Sequence, residues 1–212
     1  MSQMVVPHDY AKNVFINCPF DKDYEPLFYA MIFAIRDLEL KPRSAKHVSD
    51  GGQPRINKIL ELIEHCRFSI HDISRTELDP IHGLPRFNMP FELGLDLGCK
   101  IYNTSDHHDK LLLILDAERD RYRTFISDIA GQDIANHNGS VEAIISIVRN
   151  WLRPYLDPLT VKTPSGATIY RRYRRFQVDL PTYCDKLRWD LDNLSFADFS
   201  WAVYDWIKNN PT

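Results

Sequence analysis

Apolar positions along the chain switch between strand-like runs and helical spacing. Val14-Phe15-Ile16-Asn17-Cys18 is a short β-prone run that breaks at Pro19-Phe20-Asp21, which predicts a buried strand running into a loop. Behind Pro26, Leu27, Phe28, Met31, Ile32, Ile35 and Leu38 recur at helical spacing. Lys41 to Ala45 reads as a second short strand, Gly51-Gly52 as a break, and Ile56, Ile59, Leu60 and Ile63 as another helix. Phe68-Ser69-Ile70-His71-Asp72 is the third strand. Thr76 to Arg86, with Asp79-Pro80 and His82-Gly83, is a polar loop whose length suggests a functional role. A short helix then begins near Asn88, and Leu93, Leu97, Gly94 and Gly98 are expected to pack it close to a sheet. Leu111 to Leu115 is a continuous apolar run, as expected of a central strand buried on both faces, and Asp116 ends it. Ala117 to Ile129 is charged and aromatic, after which Val141, Ile144, Ile145, Val148 and Leu152 describe a longer helix.

Strands alternating with helices imply right-handed crossovers and a parallel sheet, hence an α/β fold with a three-layer, flavodoxin-like core. Pro154, Pro158 and Pro164-Ser165-Gly166 interrupt the pattern and divide the chain into a core over 1–155 and a small helical C-terminal extension over 156–212. Two helices are expected in the extension, around Leu180 to Asp192 and Phe196 to Ile207. The second carries Phe199, Trp201, Val203 and Trp206, which either dock on the core or form a self-association surface.

Composition changes this picture little. The 212 residues suit one well-buried core, and 44% hydrophobic with 26% charged residues is ordinary for a globular chain. A net charge of −3 neither demands nor excludes a nucleic-acid partner. Tyr170-Arg171-Arg172-Tyr173-Arg174-Arg175-Phe176 is the most basic stretch. Cations alternating with aromatics are one way to hold phosphates and stack bases, although such runs are more often solvated faces. The N-terminus lacks an apolar run of signal-peptide length, and no stretch approaches the roughly 20 apolar residues of a membrane span, so a cytoplasmic protein with no membrane partner is expected. Cys18, Cys66, Cys99 and Cys184 lack metal-site or disulfide-framework spacing, and Cys66 and Cys99 read as small core residues.

In an open parallel sheet, ligands bind beyond the carboxyl ends of the strands. That rule selects Asn17-Cys18-Pro19-Phe20, the segment from His71 to Arg75, and Asn88-Met89-Pro90-Phe91-Glu92. At these residues the chain resembles the nucleoside 2-deoxyribosyltransferase-like superfamily and its structural relatives, the TIR domains. The resemblance rests on Val14 to Phe20, on Asp72 after its strand, and on Phe91-Glu92-Leu93-Gly94-Leu95-Asp96-Leu97-Gly98-Cys99-Lys100, and covers about the first two thirds of the chain.

The resemblance implies that Glu92 acts at the anomeric carbon of a sugar, with Asp72 as a second acidic group. Cleaving an N-glycosidic bond develops positive charge on the sugar, which a carboxylate stabilises or traps covalently. The transferases carry an Asp and a Gly-Thr pair before this glutamate, whereas here the segment is Arg86-Phe87-Asn88-Met89-Pro90-Phe91. Asn88 is a candidate replacement for the Asp, and Arg75 or Arg86 a candidate phosphate ligand that favours a nucleotide over a free nucleoside. Asn17, Cys18, Pro19, Phe20, Ser74 and Met89 complete the expected pocket. His71 reads as a packed histidine, and Gly94 with Gly98 lacks the Lys-Ser/Thr ending of a phosphate loop.

The function expected is cleavage of NAD or another nucleotide, with no metal or tightly held cofactor required. The same resemblance implies a role open to such proteins, that of a bacterial stress or phage-defence effector, with self-association or an activating protein partner as the expected switch. The alternative expectation is a TIR-like module that binds a nucleotide and signals without turnover.

Overall fold

The computed structural model describes residues 9–47, 51–76, 78, 83–102, 107 and 109–211. Five strands, β1 (Asn13–Asn17), β2 (Lys41–Arg43), β3 (Phe68–Asp72), β4 (Leu111–Asp116) and β5 (Ile134–Asn136), form one all-parallel sheet in the order β2-β1-β3-β4-β5. This is the flavodoxin-like order, with its topological switch between β1 and β3. The helices are α1 (Glu25–Asp37), α2 (Arg55–Glu64), α3 (Asn88–Tyr102), α4 (Val141–Leu152), α5 (Gly166–Leu187) and α6 (Phe196–Asn209). The α/β class expected from the apolar pattern is the fold observed. No described helix is long and apolar enough to cross a membrane.

Every residue of β1 and β3 is buried, as continuous apolar runs in a parallel sheet require. Their register pairs Val14 with Phe68 and Asn17 with His71, and β3 continues the row by pairing His71 with Ile114 and Asp72 with Leu115. At the far side Asp116 pairs with Asn136. Polar residues therefore collect along one edge of the sheet, at its carboxyl ends.

Contacts divide the chain into two compact units at different places from the expected split at 155/156: residues 1–19 with 43–138, and residues 20–42 with 139–212. In the first unit, Phe15 of β1 packs with Ile59, Leu62, Ile63 and Cys66, and Leu93 of α3 packs with Ile73, Met89, Ile114, Tyr122 and Ile129. Burial pushes the Cys66 thiol up to about 12, so it serves as an inert small core residue.

In the second unit α1 runs against α4, α5 and α6. The Phe33 ring touches those of Tyr173, Phe176 and Trp206, and Tyr29 stacks on Phe199 with centroids 3.9 Å apart. Ser140, Ser165 and Ser195 cap α4, α5 and α6, each accepting the backbone N–H three residues on.

Three expectations need correction. The strand β5 falls in a region with no strand signal; three half-buried residues are too few to set a period. The segment Pro164-Ser165-Gly166 is the capped start of α5, which runs unbroken through Pro181 and ends at Leu187, where Arg188 turns left-handed with φ 57°. Gly166 is required there, because a Cβ would lie 2.9 Å from the Ser146 Cα. Finally, Gly94 and Gly98 do not mediate close packing: a Cβ at either meets nothing within 4 Å. Leu93 and Leu97 take one buried face of α3 and Leu95 and Cys99 another, leaving the glycines on the outward stripe.

The helix α5 also absorbs the basic stretch. Tyr173 and Phe176 belong to the aromatic core, so neither ring can stack on a base. Arg172 is tied to Asp37 at 3.0 Å and donates to the Asn210 carbonyl at 2.8 Å. In α6, Phe199, Val203 and Trp206 are buried, while Trp201 and Tyr204 remain exposed.

Candidate functional site

The carboxyl edge of the sheet is built from charged groups taken out of water. Asn17, the last residue of β1, donates through Nδ2 to the Met89 carbonyl and to His71 Nδ1, both at 3.0 Å. An amide nitrogen can only donate, so His71 Nδ1 is an acceptor and the ring proton sits on Nε2. That proton is donated to Asp96 Oδ2 at 2.9 Å. Asp96 Oδ1 faces Lys110 Nζ at 3.2 Å, and the ammonium also donates to the Ile63 and Cys66 carbonyls at 2.6 and 2.5 Å. His71, Asp96 and Lys110 are fully buried. Burial opposes ionisation of Asp96, but the hydrogen bond from His71 and the neighbouring Lys110 charge outweigh it and hold this carboxyl below its usual range.

A second polar group follows the ends of β3, β4 and β5. Asp72 Oδ1 accepts the Ser74 N–H at 2.8 Å, and Asp72 Oδ2 lies 3.1 Å from His137 Nε2. Asp116 Oδ1 accepts from Ala117 N at 2.7 Å and from Arg121 Nε at 2.8 Å. Arg121 further donates to Thr76 Oγ1 at 3.1 Å and to the Ile73 carbonyl at 2.9 Å, tying the segment after β3 to the segment after β4. Burial raises the Asp116 carboxyl despite Arg121, and the nearby Asp72 charge adds to the rise.

Glu92 differs from all of these. It lies one turn before Asp96 on α3, is 7% exposed, and has as its charged neighbour only Arg55 Nη2 at 3.9 Å, among the described residues. Arg55 is itself largely in solvent and screens weakly. Desolvation therefore dominates over Arg55 and pushes the Glu92 carboxyl up to about 7. A carboxyl poised at neutrality can act as a base, an acid or a nucleophile. At the same end of α3, with the neighbouring Phe91 rather than Glu92 in its wall, a cavity of about 440 Å³ is lined by Phe87, Phe91, Phe125 and Ile126, with Thr76 as a polar edge.

No protein-family model matches the chain, and no curated protein or solved structure does. The residues themselves must therefore carry the functional reading.

The expected site residues separate into three groups. Glu92 and Asp72 both lie at the carboxyl edge but face different neighbours, Arg55 at the start of α2 for Glu92 and His137 after β5 for Asp72. Asn17, Cys18, Pro19, Ser74 and Met89 are buried: Asn17 is the clamp on His71, Ser74 closes the turn on Asp72, and Met89 is an apolar core residue whose carbonyl receives Asn17. These side chains frame the edge from beneath. Phe20 belongs to the other compact unit, where its ring sits edge-on to Phe28 at 5.7 Å. Arg86 and Asn88 are exposed and Arg75 is half-buried. The tip of the expected loop, Glu77 and Asp79 to His82, lies outside the described residues.

Sequence reasoning passed over Asp96, Lys110, Arg121 and His137 and noted Asp116 only as a strand end. One signal was available: an Asp four residues after Glu92, inside an apolar helix, occupies a buried stripe and demands a counter-charge.

Proposed function

We propose that the protein cleaves the N-glycosidic bond of NAD or a related nucleotide, with Glu92 as the carboxylate that meets the anomeric carbon. The observation that carries this reading is the environment of Glu92: buried at the switch-point edge of a parallel sheet, partner-poor and with its carboxyl near neutrality. Raised basicity makes a carboxylate a better nucleophile, and a site that excludes water strengthens its attraction for an oxocarbenium-like centre. The aromatic cavity at the same helix end has the size and lining suited to a planar base. No step of this chemistry calls for a metal or resident cofactor. In the same reading the protein works in the cytoplasm and is switched on by self-association or an activating partner.

A specific observation favours a second reading. Asp72, the expected second acid, is fully buried and engaged by Ser74 and His137, so its role is to hold the edge rather than to meet a leaving group. With Glu92 as the one carboxylate of this edge left nearly unpartnered among the described residues, the edge suits a module that binds a nucleotide and signals without turnover.

The test incubates the purified protein and Glu92→Gln with NAD and a panel of ribo- and deoxyribonucleotides, and follows released base by chromatography and mass spectrometry. Base release by the wild type and a loss of about 10²-fold or more in the variant is expected. Because the ionised form of Glu92 is the reactive one, kcat/KM should fall as pH drops through about 7. Tight binding with no release at high protein concentration by either form would leave the binding module as the function.

A further inference from the structure

The end of α1 has an unusual backbone. Glu39 sits in the left-handed region at φ 61°, its N–H donating to the Arg36 carbonyl and the Leu40 N–H donating to the Ile35 carbonyl, both at 3.0 Å. Glycine holds this helix-terminating position at little cost, and a residue with a Cβ does so only where its surroundings fix it. The turn delivers Leu40 and Lys41 to the rim of a cleft of about 390 Å³, shared with the last turns of α6.

Three cations, Arg36, Lys41 and Lys208, line that cleft against the single carboxylate of Glu39, while Leu40, Ile207 and the Tyr204 ring supply its apolar surface. Arg36 is held in place: its Nε and Nη2 both donate to the buried Ser200 Oγ, at 3.1 and 2.8 Å, and its guanidinium lies 5.7 Å from the Tyr204 ring centroid. All seven lining residues fall in the compact unit that lacks Glu92.

We propose that this cleft binds a small amphipathic anion, an acidic group on an aromatic or apolar body. The volume suits a small molecule, the charge is complementary to an anion, and the side chains beside the cations suit a hydrophobic or planar body stacked on Tyr204. A mononucleotide and a fatty acid share this chemistry.

Isothermal titration calorimetry of the full chain at low salt distinguishes them, using adenosine monophosphate, decanoate, the uncharged methyl ester of decanoate, and inorganic pyrophosphate. One of the first two should bind with one-to-one stoichiometry, naming the source, and both controls should bind at least about tenfold more weakly. Lys208→Glu should weaken binding by about tenfold or more, and Ile207→Trp, which fills the cleft, should abolish it. Lys208 is exposed and Ile207 half-buried, and an unchanged circular dichroism spectrum verifies that each variant is folded. The assignment fails if neither anion binds, if the ester or pyrophosphate binds as well as the amphiphile, or if binding survives both substitutions. Loss on Glu92→Gln with retention in Lys208→Glu would likewise overturn it, by placing the ligand at the sheet edge.

Discussion

Among the described residues, the sheet-bearing unit buries His71, Asp72, Glu92, Asp96, His107, Lys110, Asp116 and His137, whereas the helical unit buries Asp37 as its acidic or basic side chain and fills its interior with Phe28, Phe33, Tyr173, Phe176, Phe199 and Trp206. Aromatic packing returns stability for every ring desolvated. Buried ion pairs return little or nothing net, because the cost of leaving water cancels most of the attraction. Within the sheet-bearing unit, two carboxylates on one helix meet opposite surroundings. Asp96 is satisfied by His71 and Lys110 and stays ionised, while Glu92, one turn earlier, is left nearly unpartnered and titrates near neutrality. The satisfied network fixes the frame around the nearly unpartnered carboxyl.

The largest effect should come from breaking that network. Asp96→Ala strands the Lys110 ammonium without its counter-charge and should cost about 3–5 kcal/mol in urea unfolding. Replacing the pair together, Asp96→Leu with Lys110→Met, should recover most of that loss; if it does not, the charges are contributing net stability and the contrast between the units fails. Next is the helical unit, where Gly166→Ala should destabilise by roughly 1–3 kcal/mol because the new Cβ meets the α4 backbone at Ser146.

Glu92→Gln is smaller and opposite in sign. The folded-state pKa of about 7 lies above the ordinary 4.5, so the folded protein holds this proton more tightly than the unfolded chain. The resulting stability is fully present below about pH 4.5 and is lost as pH rises through about 7. The variant should therefore be more stable than wild type at pH 8, by roughly 1–2 kcal/mol after solvent screening, and equal to it at pH 4. Thermal melts at the two pH values measure this directly. At the bottom of the scale, Arg174→Ala on the solvent face of α5 should change stability by no more than about 0.5 kcal/mol.

Legibility in the sequence followed the physics of each element. Continuous apolar runs announced β1, β3 and β4, since two-sided burial leaves no polar position to confuse the period. In α5 the buried stripe of Ile169, Tyr173, Phe176 and Leu180 was hidden among arginines and between prolines, so its first half read as a solvated run. At the candidate site, Glu92 was singled out through the resemblance and Asp72 through its place at the end of β3. Lys110 just before β4, Asp116 at its end and His137 just after β5 are distant in sequence from β3 and α3, and only the folded sheet and the helix packed on it bring Lys110 to Asp96 and His137 to Asp72. Burial of Met89 and Cys18 was likewise invisible, because a residue after a strand or at a helix start faces inward or outward according to its neighbours.

The segment 20–42 groups with 139–212 rather than with the residues on either side of it. On the ribosome, α1 therefore leaves the exit tunnel long before Phe196 exists to meet Phe28, or Tyr173, Phe176 and Trp206 to meet Phe33. Its apolar surface must wait for segments more than a hundred residues later to be made, an interval in which exposed apolar surface favours non-native contacts.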